Sequence, residues 1–182
     1  MAGITLEITG MTGVLGKLDK YNKTVQAEVK DEVNASALKI QSDAKKAAPV
    51  NLGTLRNTIY LAEQSVSNLK YVYSVGAQAS YAPYIEFGTG GKVSIPTGYE
   101  SYANGFKGKS KGKFKDMLMA LTEWVEKKGI ASGKQSKSVA YMIAISILRK
   151  GLRPQPFLIP AFEREKPKLK LRIEKILKNA KS

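Results

Sequence analysis

The chain has 182 residues, 43% apolar and 25% charged, enough for one ordinary core and short of two comfortable ones. It carries 30 Lys and Arg against 15 Asp and Glu, for a formal charge of +15, and contains no Cys and no His. That double absence excludes disulfides, thiolate nucleophiles, Cys/His zinc sites and any Ser-His or Cys-His catalytic arrangement.

The charge is lopsided. Residues 1–91 hold 9 Lys/Arg against 8 Asp/Glu, whereas residues 92–182 hold 21 against 7. Such asymmetry points either to a surface that meets a polyanion or an acidic neighbour, or to a well-solvated face. No apolar stretch reaches the length of a membrane-spanning helix. Met1-Ala2-Gly3-Ile4-Thr5 lacks the basic and apolar regions of a secretory signal, so a cytoplasmic product without membrane contact is expected.

In chain order, Ile4, Leu6 and Ile8 alternate with polar residues and predict a strand over residues 3–9. Leu15, Leu18, Val25, Val29, Val33, Ala37, Ile40, Ala44 and Ala47 then recur at spacings of three, four and seven. They make one apolar stripe on a helix from about residue 17 to 47, stopped by Pro49. Residues 58–66 and 69–77 read as two strands joined by a turn near Ser67-Asn68, rich in β-branched and aromatic side chains. The segment Tyr81 to Gly91 is aromatic and Gly-terminated, and should pack on the sheet before a sharp turn.

Residues 92–113, ending in alternating Lys, Gly and Ser, read as a mobile loop because they cannot bury a face. Helices follow at 114–128 (Phe114, Met117, Leu118, Leu121, Trp124, Val125) and at about 138–150 (Val139, Met142, Ile143, Ile147, Leu148), with a loop from Gly129 to Lys137 between them. A last helix begins near Pro160 and runs to about 179, with Phe162, Leu169, Ile173, Ile176 and Leu177 inward. Pro167 should kink or divide it. The expected fold class is α+β: a small antiparallel sheet packed by a long N-terminal helix and a C-terminal helix, in a single domain over 1–182 with a helical and loop insertion at about 92–137.

Three segments carry a resemblance. The first is Ala44-Lys45-Lys46-Ala47-Ala48-Pro49, followed by Gly53-Thr54-Leu55-Arg56-Asn57-Thr58-Ile59. The second is Tyr81-Ala82-Pro83-Tyr84-Ile85-Glu86-Phe87-Gly88-Thr89, and the third Arg153-Pro154-Gln155-Pro156-Phe157-Leu158-Ile159-Pro160-Ala161. In this order they resemble the tail-completion family of lambda-like long-tailed phages, the gene-product-ten-like tail components. The resemblance covers residues 15–91 and 138–180 and leaves out 92–137. Asn51-Leu52 stands where the family usually has an acidic-Thr pair before the glycine.

The resemblance implies a structural protein of the virion neck, a homo-oligomeric ring linking head-side connector or stopper proteins to the tail terminator or tail tube. It implies assembly in the host cytoplasm, no enzymatic activity and no cofactor. Candidate interface residues are Arg56, Tyr81, Tyr84, Glu86, Phe87, Arg153 and Phe157. Glu86 is the only acid in its segment; it reads as paired with Arg56 or Lys70, or as a contact to another subunit. Lys107, Lys109, Lys111, Lys113 and Lys115 either meet genomic DNA in an axial channel, dock on an acidic face of a neighbouring ring, or are simply solvated. The alternative function is that of a basic nucleic-acid-binding accessory protein, although no helix-turn-helix, zinc or stacking signature occurs. An enzyme would need paired carboxylates at a cleft or a G-x-x-x-x-G-K-[ST] loop, and the chain has neither pattern.

Overall fold

A computed structural model describes residues 4–7, 23–50, 53–67, 70–104 and 114–180. The elements are β1 (Ile4–Glu7), α1 (Lys23–Ala47), α2 (Thr54–Asn57), β2 (Ile59–Ser67), β3 (Lys70–Ala77), α3 (Ala82–Phe87), α4 (Glu100–Asn104), α5 (Phe114–Lys127), α6 (Lys134–Lys150) and α7 (Ile159–Asn179), with a 3-10 turn at Gly90–Lys92. The class is α+β. By its contacts the chain divides into two compact units, residues 1–80 with 156–182, and residues 81–155.

The first unit holds the sheet. Its strand order is β1-β3-β2, antiparallel throughout, so Ala77 of the central strand pairs with Ile4 on one side and Ile59 on the other. Alternation in β3 predicts one wet face, yet residues 72–77 are all buried.

Helix α1 lies against β2 and β3 and buries Val25, Val29, Val33, Ala37, Ile40 and Ala44, the stripe that the spacing predicts. Each fully buried Val or Ile contributes about 1.5–3 kcal/mol. The stripe ends one residue later than its period suggests: Ala47 is exposed and Ala48 buried, with the Ala48 N–H donating to Ala44 O at 2.8 Å. Leu15 and Leu18 fall outside the described residues. Helix α7 packs along α1 through Ala161, Glu165, Leu169 and Ile173. Pro167 does not divide α7; it sits on the exposed side while the buried stripe continues past it.

The second unit contains α3 to α6, and α5 and α6 pair with each other. Helix α6 begins four residues ahead of its predicted start. Its first turn, Lys134-Gln135-Ser136-Lys137, has no apolar residue from which periodicity could be read. The buried Ser136 hydroxyl fixes that turn by donating to Glu126 Oε1 of α5 at 2.6 Å. Within the predicted loop, residues 93–98 are exposed and without regular structure, but Glu100–Asn104 forms a short helix. The Glu100 carboxylate accepts from the Gly98 N–H at 2.9 Å, and Tyr99 and Ala103 are buried. The remainder of that loop, residues 105–113, lies outside the described residues.

Candidate functional site

The second and third motifs meet in space. Helix α3, with Pro83 in its first turn, ends at Gly88, whose φ of +78° reverses the chain. A Cβ there would stand 2.8 Å from Leu152 O and 2.9 Å from Pro154 Cδ. Gly151, at φ +74°, is tighter still: its Cβ would stand 2.0 Å from Thr89 O. Three hydrogen bonds close the junction. Thr89 N–H donates to Leu152 O (3.0 Å), Leu152 N–H to Thr89 Oγ1 (2.7 Å), and Gln155 N–H to Ile85 O (2.7 Å). The two glycines let segments more than sixty residues apart touch backbone to backbone.

This placement sorts the predicted residues. Glu86 (1% exposed), Phe87 (4%) and Phe157 (0%) are interior, so they support the turns from within and present nothing to a neighbour. Tyr84 is half-buried. Tyr81 and Arg153 are exposed, and they are what this part of the motifs puts on the surface. Lys115 is exposed in the first turn of α5, and Lys107, Lys109, Lys111 and Lys113 lie outside the described residues.

A polar cluster that periodicity did not flag pins α7 to α1. The Arg172 guanidinium donates to Glu32, to Glu165 and, at 2.7 Å, to Ser36 Oγ, while Ser36 Oγ donates to Glu165 Oε1 at 3.3 Å. The hydrogen bond to Glu165 is the main reason that the Arg172 pKa is raised. Ser36 and Glu165 are buried inside otherwise apolar stripes, and that interruption was the available signal.

Arg56 belongs to a different surface. Gly53, at φ +78°, starts α2, Leu55 anchors it in the core, and the Thr58 hydroxyl donates to Leu55 O at 2.9 Å. Arg56 then lines a groove of about 540 Å³ with Leu38, Gln41, Ser42, Lys45 and Lys46 of α1. Gln41 is occupied by the fold, donating to Ile59 O at 3.2 Å. Lys39, one turn away, is paired with Asp43 at 3.0 Å, and this hydrogen bond leads in holding the Asp43 carboxyl below its ordinary range. Among the described residues, Lys45, Lys46 and Arg56 form no ion pair. Arg56 Nε is buried and has no hydrogen-bond partner among the described residues.

Among the described residues no three His, Cys, Asp or Glu gather as a metal site, and no helix is long and apolar enough to cross a membrane. No curated protein and no solved structure matches the chain. Residues 13–88, ending at the glycine that closes α3, match the family model described as "Bacteriophage HK97-gp10, putative tail-component", so this part of the chain is similar to a family of phage tail components.

Proposed function

We propose that the chain is a structural, non-enzymatic virion subunit that assembles in the host cytoplasm into a homo-oligomeric ring in the neck. There it joins head-side connector or stopper proteins to the tail terminator or tail tube. The match of residues 13–88 to a tail-component family is the observation that carries this reading. The glycine-locked junction of the second and third motifs supports it, since rigid turns hold the exposed Tyr81 and Arg153 in fixed positions for a neighbour. Together with Arg56 they are the surface residues proposed for assembly. Glu86, Phe87 and Phe157 act by keeping the turns rigid.

A phage lacking this gene tests the proposal. Infected cells should accumulate DNA-filled heads and finished tails that fail to join, and the gene supplied in trans should restore infectivity. Normal yields of joined particles from the deletion phage would refute the neck assignment.

The excess of positive charge in residues 92–182 favours a contact with nucleic acid as a second property. In a ring, symmetry would gather Lys107, Lys109, Lys111, Lys113 and Lys115 of every subunit near DNA that carries about one charge per 1.7 Å of axis. Neutralising these five should leave joining intact and lower the salt-dependent affinity of the protein for duplex DNA. Unchanged affinity would assign the lysines to solvation or to an acidic neighbour.

A further inference from the structure

Burying a guanidinium nitrogen without a partner is costly, and native proteins rarely do it. Arg56 Nε is such an atom, and it sits in a concave site that already contains two further cations, Lys45 and Lys46, and a half-exposed leucine, Leu38. Cations near the C-terminal end of α1 complement the helix dipole, which accounts for Lys45 and Lys46. It does not account for Arg56, which belongs to the next element and aims no partner at its buried nitrogen. A carboxylate supplied from outside can meet the half-buried guanidinium where Arg56 lines the groove, with the lysines beside it.

The second unit presents a matching surface. On α5, Asp116, Met119, Glu123 and Glu126 follow at helical spacing on one exposed face. Met119 is 53% exposed, much as Leu38 is at 50%. Asp116 and Glu123 take part in no ion pair among the described residues. Asp116 and Glu123 beside the exposed Met119 stand against Lys45, Lys46 and Arg56 beside the exposed Leu38, charges of opposite sign each next to an apolar side chain.

We infer that the groove formed by Leu38, Ser42, Lys45, Lys46 and Arg56 receives the acidic face of α5 from a second copy of this chain. The inference rests on the ring reading and supplies its contact. The two surfaces differ, so the contact is head-to-tail and heterologous, the kind that generates a ring when the rotation closes. The Arg56 guanidinium binds one carboxylate, Lys45 and Lys46 flank the other, and Met119 covers Leu38. Long-range charge steers the encounter, so association weakens as ionic strength rises.

The test uses the full chain at low and high salt, with oligomer mass read by native mass spectrometry and analytical ultracentrifugation. Arg56→Glu and, independently, Glu123→Arg should each weaken self-association by about tenfold or more. Combining Lys46→Glu and Arg56→Glu with Asp116→Lys and Glu123→Arg in one chain should restore it. Glu123 is exposed, so Glu123→Arg decides the matter if Arg56→Glu melts early by circular dichroism. If the wild-type chain forms rings that neither reversal changes, this pairing of surfaces is wrong and the ring reading stands. If the wild-type chain stays monomeric both alone and when recovered from particles, the ring reading fails and this contact with it.

Discussion

Two helix pairs in this chain are built on opposite plans. In the first unit, α1 and α7 bury Val25, Val29, Val33, Ile40, Leu169 and Ile173, large side chains that leave water almost completely. In the second, α5 buries Val125 alone, and α6 buries Ser136, Ala140 and Ala144. Leu118, Leu121, Trp124, Ile143 and Ile147 are half-buried, while on α6 Tyr141 is 51% exposed and Met142 and Leu148 are 63% exposed. A helix apolar on two faces usually has both covered. The comparison teaches that the first unit is stabilised by its own core. The second buries small side chains between its helices and leaves Tyr141, Met142 and Leu148 of α6 exposed.

Gly151→Ala should be the most damaging small change in the second unit. Its Cβ meets Thr89 O at 2.0 Å at a positive φ, so a loss of about 3–5 kcal/mol is expected in chemical denaturation. Gly53→Ala sharpens the point. It has a similar φ, but its nearest neighbour is 3.6 Å away, and it should cost only about 1–2 kcal/mol. Equal losses at the two glycines would mean that backbone proximity is not what holds the motif junction.

Core truncation should separate the units next. Ile40→Ala should destabilise the protein by about 2–4 kcal/mol, whereas Leu148→Ala should stay within about 0.5 kcal/mol in the isolated chain. If Leu148→Ala costs as much as Ile40→Ala, α6 is packed on its outer face.

Arg172→Met is expected to cost about 2 kcal/mol, because it strands the buried Glu165 and Ser36 without their main donor. Following it with Glu165→Leu should recover most of that loss. Failure to recover would mean that the cluster does more than pin α7 to α1.

The smallest effect is electrostatic. The Lys39 hydrogen bond holds the Asp43 pKa below its ordinary value. A depressed carboxylate contributes stability that is present above its unfolded pKa and lost as pH falls through the folded one. Asp43→Asn should therefore flatten the acid limb of a melting-temperature profile slightly and leave the neutral region unchanged. An altered alkaline limb would contradict the assignment.

Much of the first unit was readable in the sequence. Periodicity located α1, β2, β3 and α7 because each has one apolar face that its own residues define. What it missed depended on partners elsewhere in the chain. The pairing of β1 with β3 joins residues about seventy positions apart, and the early start of α6 follows from Ser136 meeting Glu126. The motifs drew attention to Tyr81–Thr89 and Arg153–Phe157 as separate segments. Only the fold shows that Gly88 and Gly151 bring them together, while Glu86, Phe87 and Phe157 turn inward. Arg56 was legible as a cation in search of an acid. The groove around it, and the matching face of α5 in a region that the resemblance leaves out, were not.

Electron cryo-microscopy of purified virions tests the central claim most directly, because it asks whether the chain is part of the particle and where. The account predicts a closed ring of this chain in the neck, with the groove at Arg56 facing α5 of the adjacent copy. Particles that are complete and infectious yet contain no copy of the chain would contradict it.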